Sequence, residues 1–289
     1  MDEFHGIDYL NIESELTDDE RQVRDTIRQF VNDEAIVAVP EHFREGIFPQ
    51  HLISRMGELG IFGAHIDGYG CAGISSVGYG LIMQELERAD SGYRSFASVQ
   101  SSLAMTAIYL FGTEEQRKFY LPDMAKGSTL GCFALTEADH GSDPSGMTTA
   151  VSASGTGYVL NGSKMWITNA GISNIGIVWA YFEGAIRAFI VDMSAEGVLV
   201  QDIKNKLSMR MSVTSEIRFE NVSLASDALL PGTRGLGSAL ECLNSARFSI
   251  IWGVCGAAAD SLHTAIEYTK SRNQFGKPLA GFQMVQEKL

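Results

Sequence analysis

A chain of 289 residues is long enough for one large domain or two or three small ones. Its 45% hydrophobic content can supply a core, and 20% charged residues suits a globular protein. A net charge of −13 argues against a surface built to neutralise nucleic-acid phosphates, while a local basic pocket for a small anionic ligand stays open.

The acidic start, MDEFHGIDYLNIESELTDDE, is neither a secretory signal nor an Arg-rich transit sequence. No apolar run reaches the ~20 residues of a membrane span. A bacterial cytoplasm is the expected location, although a processed mitochondrial matrix protein would look the same. Cys71, Cys132, Cys242 and Cys255 are far apart, with no CxxC pair. They are expected to be reduced thiols in the core or in pockets, with no metal site.

Along the chain, Thr17-Asp18-Asp19-Glu20 has capping-box spacing and opens an amphipathic helix through Val23, Ile27, Phe30 and Val31. HLISRMGELG and LIMQELERA have further helical spacing. Thr113 and Gln116 repeat the start signal before RKFYLPDMAKG, where Pro122 predicts a kink or break. From Gly131 the texture changes. TTAVSAS, GYVLNGSKMWIT, IGIVWAYF, AIRAFIVDM and TSEIRFENVSL are short β-rich runs separated by Gly, Asn and Ser. From about Leu236 the pattern is helical again, with one turn-like gap at most before Arg272. Gly253 and Gly256 suit close helix packing better than they suit helix propensity. A last helix is expected to run to Leu289. The division is 1–131 helical, 132–235 β and 236–289 the start of a second helical domain, an α+β fold.

The segment CFALTEADHGSDPSGM, 132–147, crowds small polar residues directly behind a buried strand. Backbone N–H groups at such a turn can approach a ligand. Gly141 allows close approach and unusual dihedrals, and Thr136 and Ser142 add hydroxyls. Such a turn suits a pyrophosphate or flavin heteroatoms; an ordinary Asp-Pro loop between domains is the other reading.

Beyond these residue-level readings, ALTEADHGSDPSG resembles the flavin- and substrate-binding signature of acyl-CoA dehydrogenases. GSKMWITNA is similar to that family's Trp-Ile-Thr stretch. SRNQFGKPLAGFQ resembles the Arg…Phe-Gly…Gln stretch that reaches the FAD of a neighbouring subunit. FGTEEQRKFYLPDMAKG is also family-like, so the resemblance runs in order across nearly the whole chain. Within the family, ELERADSGYRSFASVQSSL and CLNSARFSIIWGV look most like glutaryl-CoA dehydrogenase. The resemblance implies a helical, β, helical order of domains in a homotetramer, FAD as cofactor, an acyl-CoA substrate and an electron-transfer flavoprotein as acceptor. The activity it implies is α,β-dehydrogenation of glutaryl-CoA with loss of CO2 to give crotonyl-CoA. Another acyl-CoA substrate, without decarboxylation, is the alternative.

By the same resemblance, Phe133, Leu135, Thr136, Gly141, Ser142, Trp166, Ile167 and Thr168 line the flavin, and Ser142 also faces substrate. Arg272, Phe275 and Gln283 reach a partner's FAD. Leu243, Asn244 and Arg247 lie on a helix that resembles the CoA-binding helix. Arg94, with Ser95 and Glu87, stands where glutaryl-CoA dehydrogenase holds the distal carboxylate. Each has a plainer alternative. Trp166 is otherwise a core aromatic. Arg272 and Gln283 are otherwise a solvated helix end, and Arg247 a salt-bridge partner. Arg94 otherwise pairs with Glu87 or Asp90 on the surface. Gly92 is where a helix joining Glu87 to Arg94 would break.

The catalytic base is not found. The family's Glu-Gly-Thr-type motif is absent, and the alternative base position, just before Arg247, is Ala246. Glu241 is turned to another face. Three explanations compete: a fragment of a longer enzyme, favoured because the chain stops inside a predicted helix; a base-less homologue that binds acyl-CoA or FAD; or one half of a hetero-oligomer. Residues 1–289 alone are expected not to dehydrogenate glutaryl-CoA.

Overall fold

The computed structural model describes residues 8–289, so the first seven residues of the acidic start lie outside the described residues. Among the described residues seven α-helices come first: α1 (Asp18–Phe30), α2 (Ile36–Glu45), α3 (Ile53–Glu58), α4 (Ser76–Ala89), α5 (Ser91–Ser98), α6 (Thr106–Phe111) and α7 (Glu114–Ala125). The capping box at α1 is reciprocal. Thr17 Oγ1 accepts from the Glu20 N–H at 3.3 Å, and the Glu20 carboxylate accepts from the Thr17 N–H at 3.0 Å. Thr113 and Gln116 repeat it at α7. Pro122 does not break α7, which runs on to Ala125. Burial of Leu121 and Met124 holds the last turn where the proline withdraws a backbone donor.

Seven strands follow: β1 (Gly131–Ala134), β2 (Ala150–Ser154), β3 (Gly157–Thr168), β4 (Ile175–Phe182), β5 (Ala185–Asp192), β6 (Val198–Asp202) and β7 (Thr214–Leu224). Their order is β1-β4-β2-β3-β7-β6, with β5 antiparallel to β4. β1 and β4 are parallel, Phe133 opposite Ile177. Both are buried on two faces, which is why they read as unbroken apolar runs. Phe133, Leu135, Ile177 and Trp179 join the large helical core. Cys132, Ala134, Val178 and Ala180 join a second core with Leu160, Phe189, Ile217 and Phe219.

The chain then forms α8, Leu236–Ser271, 36 residues without a gap. A small hairpin, β8 (Asn273–Gln274) and β9 (Lys277–Pro278), leads to a single turn, α9 (Gln283–Gln286). The last helix therefore ends at Gln286 and does not run to Leu289. Among the described residues no helix is long and apolar enough to cross a membrane. The four thiols are free. Cys132 and Cys242 are buried and Cys71 half-buried, but Cys255 is exposed on α8, against the expectation of a core or pocket position.

α8 lies against α4 at unusually short range, and glycines make room for it. A Cβ on Gly256 would stand 1.9 Å from the Gln84 carbonyl oxygen. One on Gly253 would stand 2.8 Å from Glu87 Oε2, and one on Gly80 2.3 Å from the Trp252 ring. The helix-propensity loss of ~1 kcal/mol per glycine is outweighed by the contact it permits. Gly256→Ala is therefore expected to destabilise the fold by ~1–3 kcal/mol despite the better helix former, because backbone must move. Urea unfolding checks this, and an unchanged or raised midpoint would contradict the close packing.

Candidate flavin and acyl-CoA cleft

Where β1 ends, the sheet, the helical domain and α8 enclose a cleft of about 430 Å³. It gathers Phe133, Leu135, Thr136, Gly141, Ser142, Trp166, Ile167, Thr168, Leu243 and Arg247, ten of the residues singled out from the sequence. Pro144, from the same 132–147 segment, and Val99, Leu103 and Leu240, which the sequence did not flag, complete the lining. Val99 and Leu103 belong to the π-helical segment Val99–Met105 that joins α5 to α6. Nothing in the run VQSSLAM sets it apart from ordinary core helix.

Trp166 owes its position to a β-bulge. Three steps along β3, from Lys164 to Ile167, face two along β7, from Ile217 to Ser215. The extra residue leaves Trp166 at φ 62°, a conformation that bulky side chains avoid. Its indole is 59% exposed at the cleft, which overturns the core-aromatic alternative. The bulge is tied to the neighbouring loop by the Met165 N–H, which donates to the Thr136 carbonyl at 2.9 Å.

Among the described residues no hydrogen bond engages the hydroxyls of Thr136, Ser142 or Thr168, nor the N–H groups of Gly141 and Ser142. These donors and the indole give the cleft a planar apolar wall beside several free polar atoms. Gly141 works through space alone. Its φ is not positive, against the expectation of unusual dihedrals, and an added Cβ would meet nothing nearer than Thr136 Cγ2 at 3.9 Å.

A buried ion pair underlies the loop. Glu137 accepts from the Thr148 N–H at 2.7 Å, the Thr148 hydroxyl at 2.8 Å and the Thr149 N–H at 2.9 Å. Lys164 Nζ, with no exposed side-chain surface, donates to Glu137 Oε1 at 3.0 Å and to the Leu135 carbonyl at 2.9 Å. Burial alone would raise the Glu137 carboxyl; the Thr148 and Thr149 donors and the ammonium instead hold it down at about 2. Burial pushes Lys164 down to about 8, against the pull of Glu137. A carboxylate so occupied is a poor proton acceptor at neutral pH. Sequence alternation carried a signal here, since Leu160 and Lys164 share the inward face of β3.

Glu87, Arg94 and Ser95 are not among the residues that line the cleft; they are buried where α4, α5 and α8 meet. The helix breaks at Asp90, not Gly92, and Asp90 caps α5 through the Gly92 N–H at 2.7 Å. Even so, Arg94 Nε donates to Glu87 Oε2, which Gly253 of α8 abuts. Ser91 Oγ donates to the other Glu87 oxygen at 2.6 Å. The pairing foreseen for an exposed arginine occurs, but both side chains are buried. α5 is bolted to the sheet beside them. Asn169 Nδ2 donates to the Phe96 carbonyl at 3.2 Å, and Ser212 Oγ to Ser95 Oγ at 3.5 Å.

On α8, Arg247 Nη1 donates to Asn244 Oδ1 at 3.1 Å; among the described residues no carboxylate pairs with it. Ala246 is buried, and Ser249 bonds Ser98 across the helix contact at 2.7 Å. No carboxylate lines the cleft among the described residues. Arg272, Phe275 and Gln283 are not brought to the cleft. They are exposed at and beyond the far end of α8, Phe275 at 94%. Among the described residues no group of three or more His, Cys, Asp or Glu could hold a metal ion.

Family models of the acyl-CoA dehydrogenase N-terminal, middle and C-terminal domains match residues 17–128, 132–222 and 233–289. A probable acyl-CoA dehydrogenase of Bacillus subtilis, YngJ, is 35% identical over 95% of this chain and 74% of its own. The mitochondrial short-chain specific acyl-CoA dehydrogenase of Mus musculus is 32% identical over 95% of this chain and 68% of its own. Among solved structures, a glutaryl-CoA dehydrogenase from Mycobacterium smegmatis in complex with FADH2 superposes with a TM-score of 0.94. It is 47% identical and covers 96% of this chain and 72% of its own. Together with the helical, β, helical order and the cleft where the three parts meet, these matches make the chain a member of the acyl-CoA dehydrogenase family.

Proposed function

We propose that the protein is an FAD-dependent dehydrogenase of glutaryl-CoA, with decarboxylation to crotonyl-CoA. The observation that carries the substrate choice is the buried guanidinium of Arg94 against α8. Gly253, which abuts the Arg94–Glu87 pair, lies six residues beyond Arg247 on α8, about 9 Å further along the helix axis. A short acyl chain entering past Arg247 would carry its far end toward Arg94. A dicarboxylic acyl group can offer a charge-assisted, bidentate partner there. A neutral chain cannot, and it would leave the buried cation to Glu87 alone.

FAD is the family's cofactor, and the cleft fits it: the exposed indole of Trp166 suits a flat ring system, and the free donors suit its polar edge. Bound there, FAD supplies the acceptor for the hydride that leaves the substrate's β-carbon. Thr136 and Thr168 would hydrogen-bond the ring edge, Phe133, Leu135 and Ile167 would wall it, and Gly141 and Ser142 would meet the pyrophosphate and substrate. Leu243, Asn244 and Arg247 would hold the CoA arm. Arg94, Ser95 and Glu87 would orient the distal carboxylate so that CO2 can leave. Arg272, Phe275 and Gln283, exposed and away from this cleft, would contact the FAD of another copy in a homotetramer. An electron-transfer flavoprotein would re-oxidise the enzyme, in a bacterial cytoplasm.

A second reading, a homologue that binds acyl-CoA and FAD without dehydrogenating, draws on one observation: no carboxylate among the described residues lines the cleft. Turnover of glutaryl-CoA with an artificial acceptor separates the two.

In a catalytically complete enzyme, Arg94→Gln is expected to cut kcat/KM on glutaryl-CoA tens to hundreds of fold, on a scale of ~2–4 kcal/mol, with FAD content nearly unchanged. Its ratio of glutaryl-CoA to butyryl-CoA activity should fall. Normal turnover of glutaryl-CoA by the variant would remove the basis for a dicarboxylate substrate.

Arg272→Ala is expected to weaken flavin retention and assembly together. Sedimentation and flavin absorbance on the same sample check this. A stable monomer that still binds FAD tightly would contradict the role across subunits.

A further inference from the structure

The loop that carries Gly141, Ser142 and Pro144 to the cleft is closed at its base by one side chain. Glu137 opens the loop, and its carboxylate receives the N–H groups of Thr148 and Thr149, which end it. Lys164 enters from β3, two residues before Trp166. Its ammonium bridges the Glu137 carboxylate and the Leu135 carbonyl, and Met147 Sδ lies at 3.8 Å. Thr149 Oγ1 donates to the Ser163 carbonyl at 3.1 Å, a further stitch from loop to β3. Neither Glu137 nor Lys164 lines the cleft. Yet Leu135, Thr136 and Trp166, neighbours in sequence of the groups they hold, all do.

We propose that Glu137 and Lys164 act as a clasp that sets the loop 137–149 and the Trp166 bulge at the spacing FAD requires, so that both are positioning residues for the cofactor. This rests on the reading of the cleft as the flavin site. The clasp is lopsided. Without Lys164, the Glu137 carboxylate keeps three donors from Thr148 and Thr149. Without the Glu137 charge, the Lys164 ammonium keeps one carbonyl and a thioether, in a place with no water-facing surface. A buried cation so stranded is costly, and it relaxes by losing its proton or by pulling the loop away. Loss of the carboxylate should therefore harm the cleft more than loss of the ammonium, and removing both should be milder than removing the carboxylate alone.

The test uses the holoenzyme and its FAD-stripped form with Glu137→Gln, Lys164→Met, the double variant and, as a cleft control, Trp166→Ala. FAD affinity is read from flavin fluorescence well below each variant's unfolding midpoint, and loop order from protease cleavage within 138–147 of the stripped protein. The expected results are a roughly tenfold or larger loss of FAD affinity in Glu137→Gln, the scale of a lost charge-assisted contact. Lys164→Met should lose less, the double variant should regain part of the Glu137→Gln loss, and cleavage should follow the same order. If Trp166→Ala weakens FAD binding but Glu137→Gln does not, the clasp is overturned and the flavin site stands. If neither weakens it, the flavin-site reading falls and the clasp with it. Should Glu137→Gln fail to fold, a double variant that binds FAD less well than Lys164→Met yet resists protease as well as wild type overturns the clasp. FAD losses that merely track unfolding midpoints across the set also overturn it.

Discussion

The close approach of α8 to α4 is the constraint on which the rest of the molecule turns. Gly256 against the Gln84 carbonyl and Gly80 under the Trp252 ring fix where α8 runs. The near end of that helix forms one wall of the cleft, through Leu240, Leu243 and Arg247. Its middle presses on the Glu87–Arg94 pair through Gly253. Were these glycines alanines, the helix would be a better helix and a worse neighbour. The cleft wall and the buried guanidinium are thus set by one contact, and a shift in it would move both together.

The sheet meets this helical frame through its most buried strands. β1 and β4 present Phe133 and Trp179 to the helices and Val178 and Ala180 to the second core. A strand buried on two faces cannot slip register without loss on both. The end of β1 is therefore a firm platform. The loop that leaves it carries the polar donors of the cleft, and Asn169 and Ser212 tie the same sheet to α5.

Much of this was legible in the sequence, and what was not has identifiable causes. The capping boxes at Thr17 and Thr113 and the change of texture at Gly131 are local signals, and they mark element starts correctly. Ten cleft residues followed from motifs because the end of β1 with its loop, the end of β3 and the first turns of α8 each carry a motif, and the fold brings the three together. Pro122 does not end its helix, because tertiary burial holds a turn that local propensity disfavours. Gly92 misled because the break belongs to Asp90, whose carboxylate caps the next helix. Val99 and Leu103 were invisible because an apolar residue beside a cleft has the same chemistry as one in a core. The Lys164–Glu137 pair is separated by 27 residues, and only the folded sheet brings it together.

The three tryptophans occupy three distinct environments. Trp179 is fully buried between the sheet and the helical core, beside Phe133 at a ring separation of 5.6 Å. Trp252 sits half-buried in the contact of α4 with α8. Trp166 alone stands open, at the mouth of the cleft. Their emission should therefore divide by colour. A blue component from Trp179 tracks the core, an intermediate one from Trp252 tracks the helix contact, and a red, easily quenched one from Trp166 tracks the cleft. Single-tryptophan versions of this chain would let light alone tell whether a change at the cleft is felt at the helix contact or stops at the sheet.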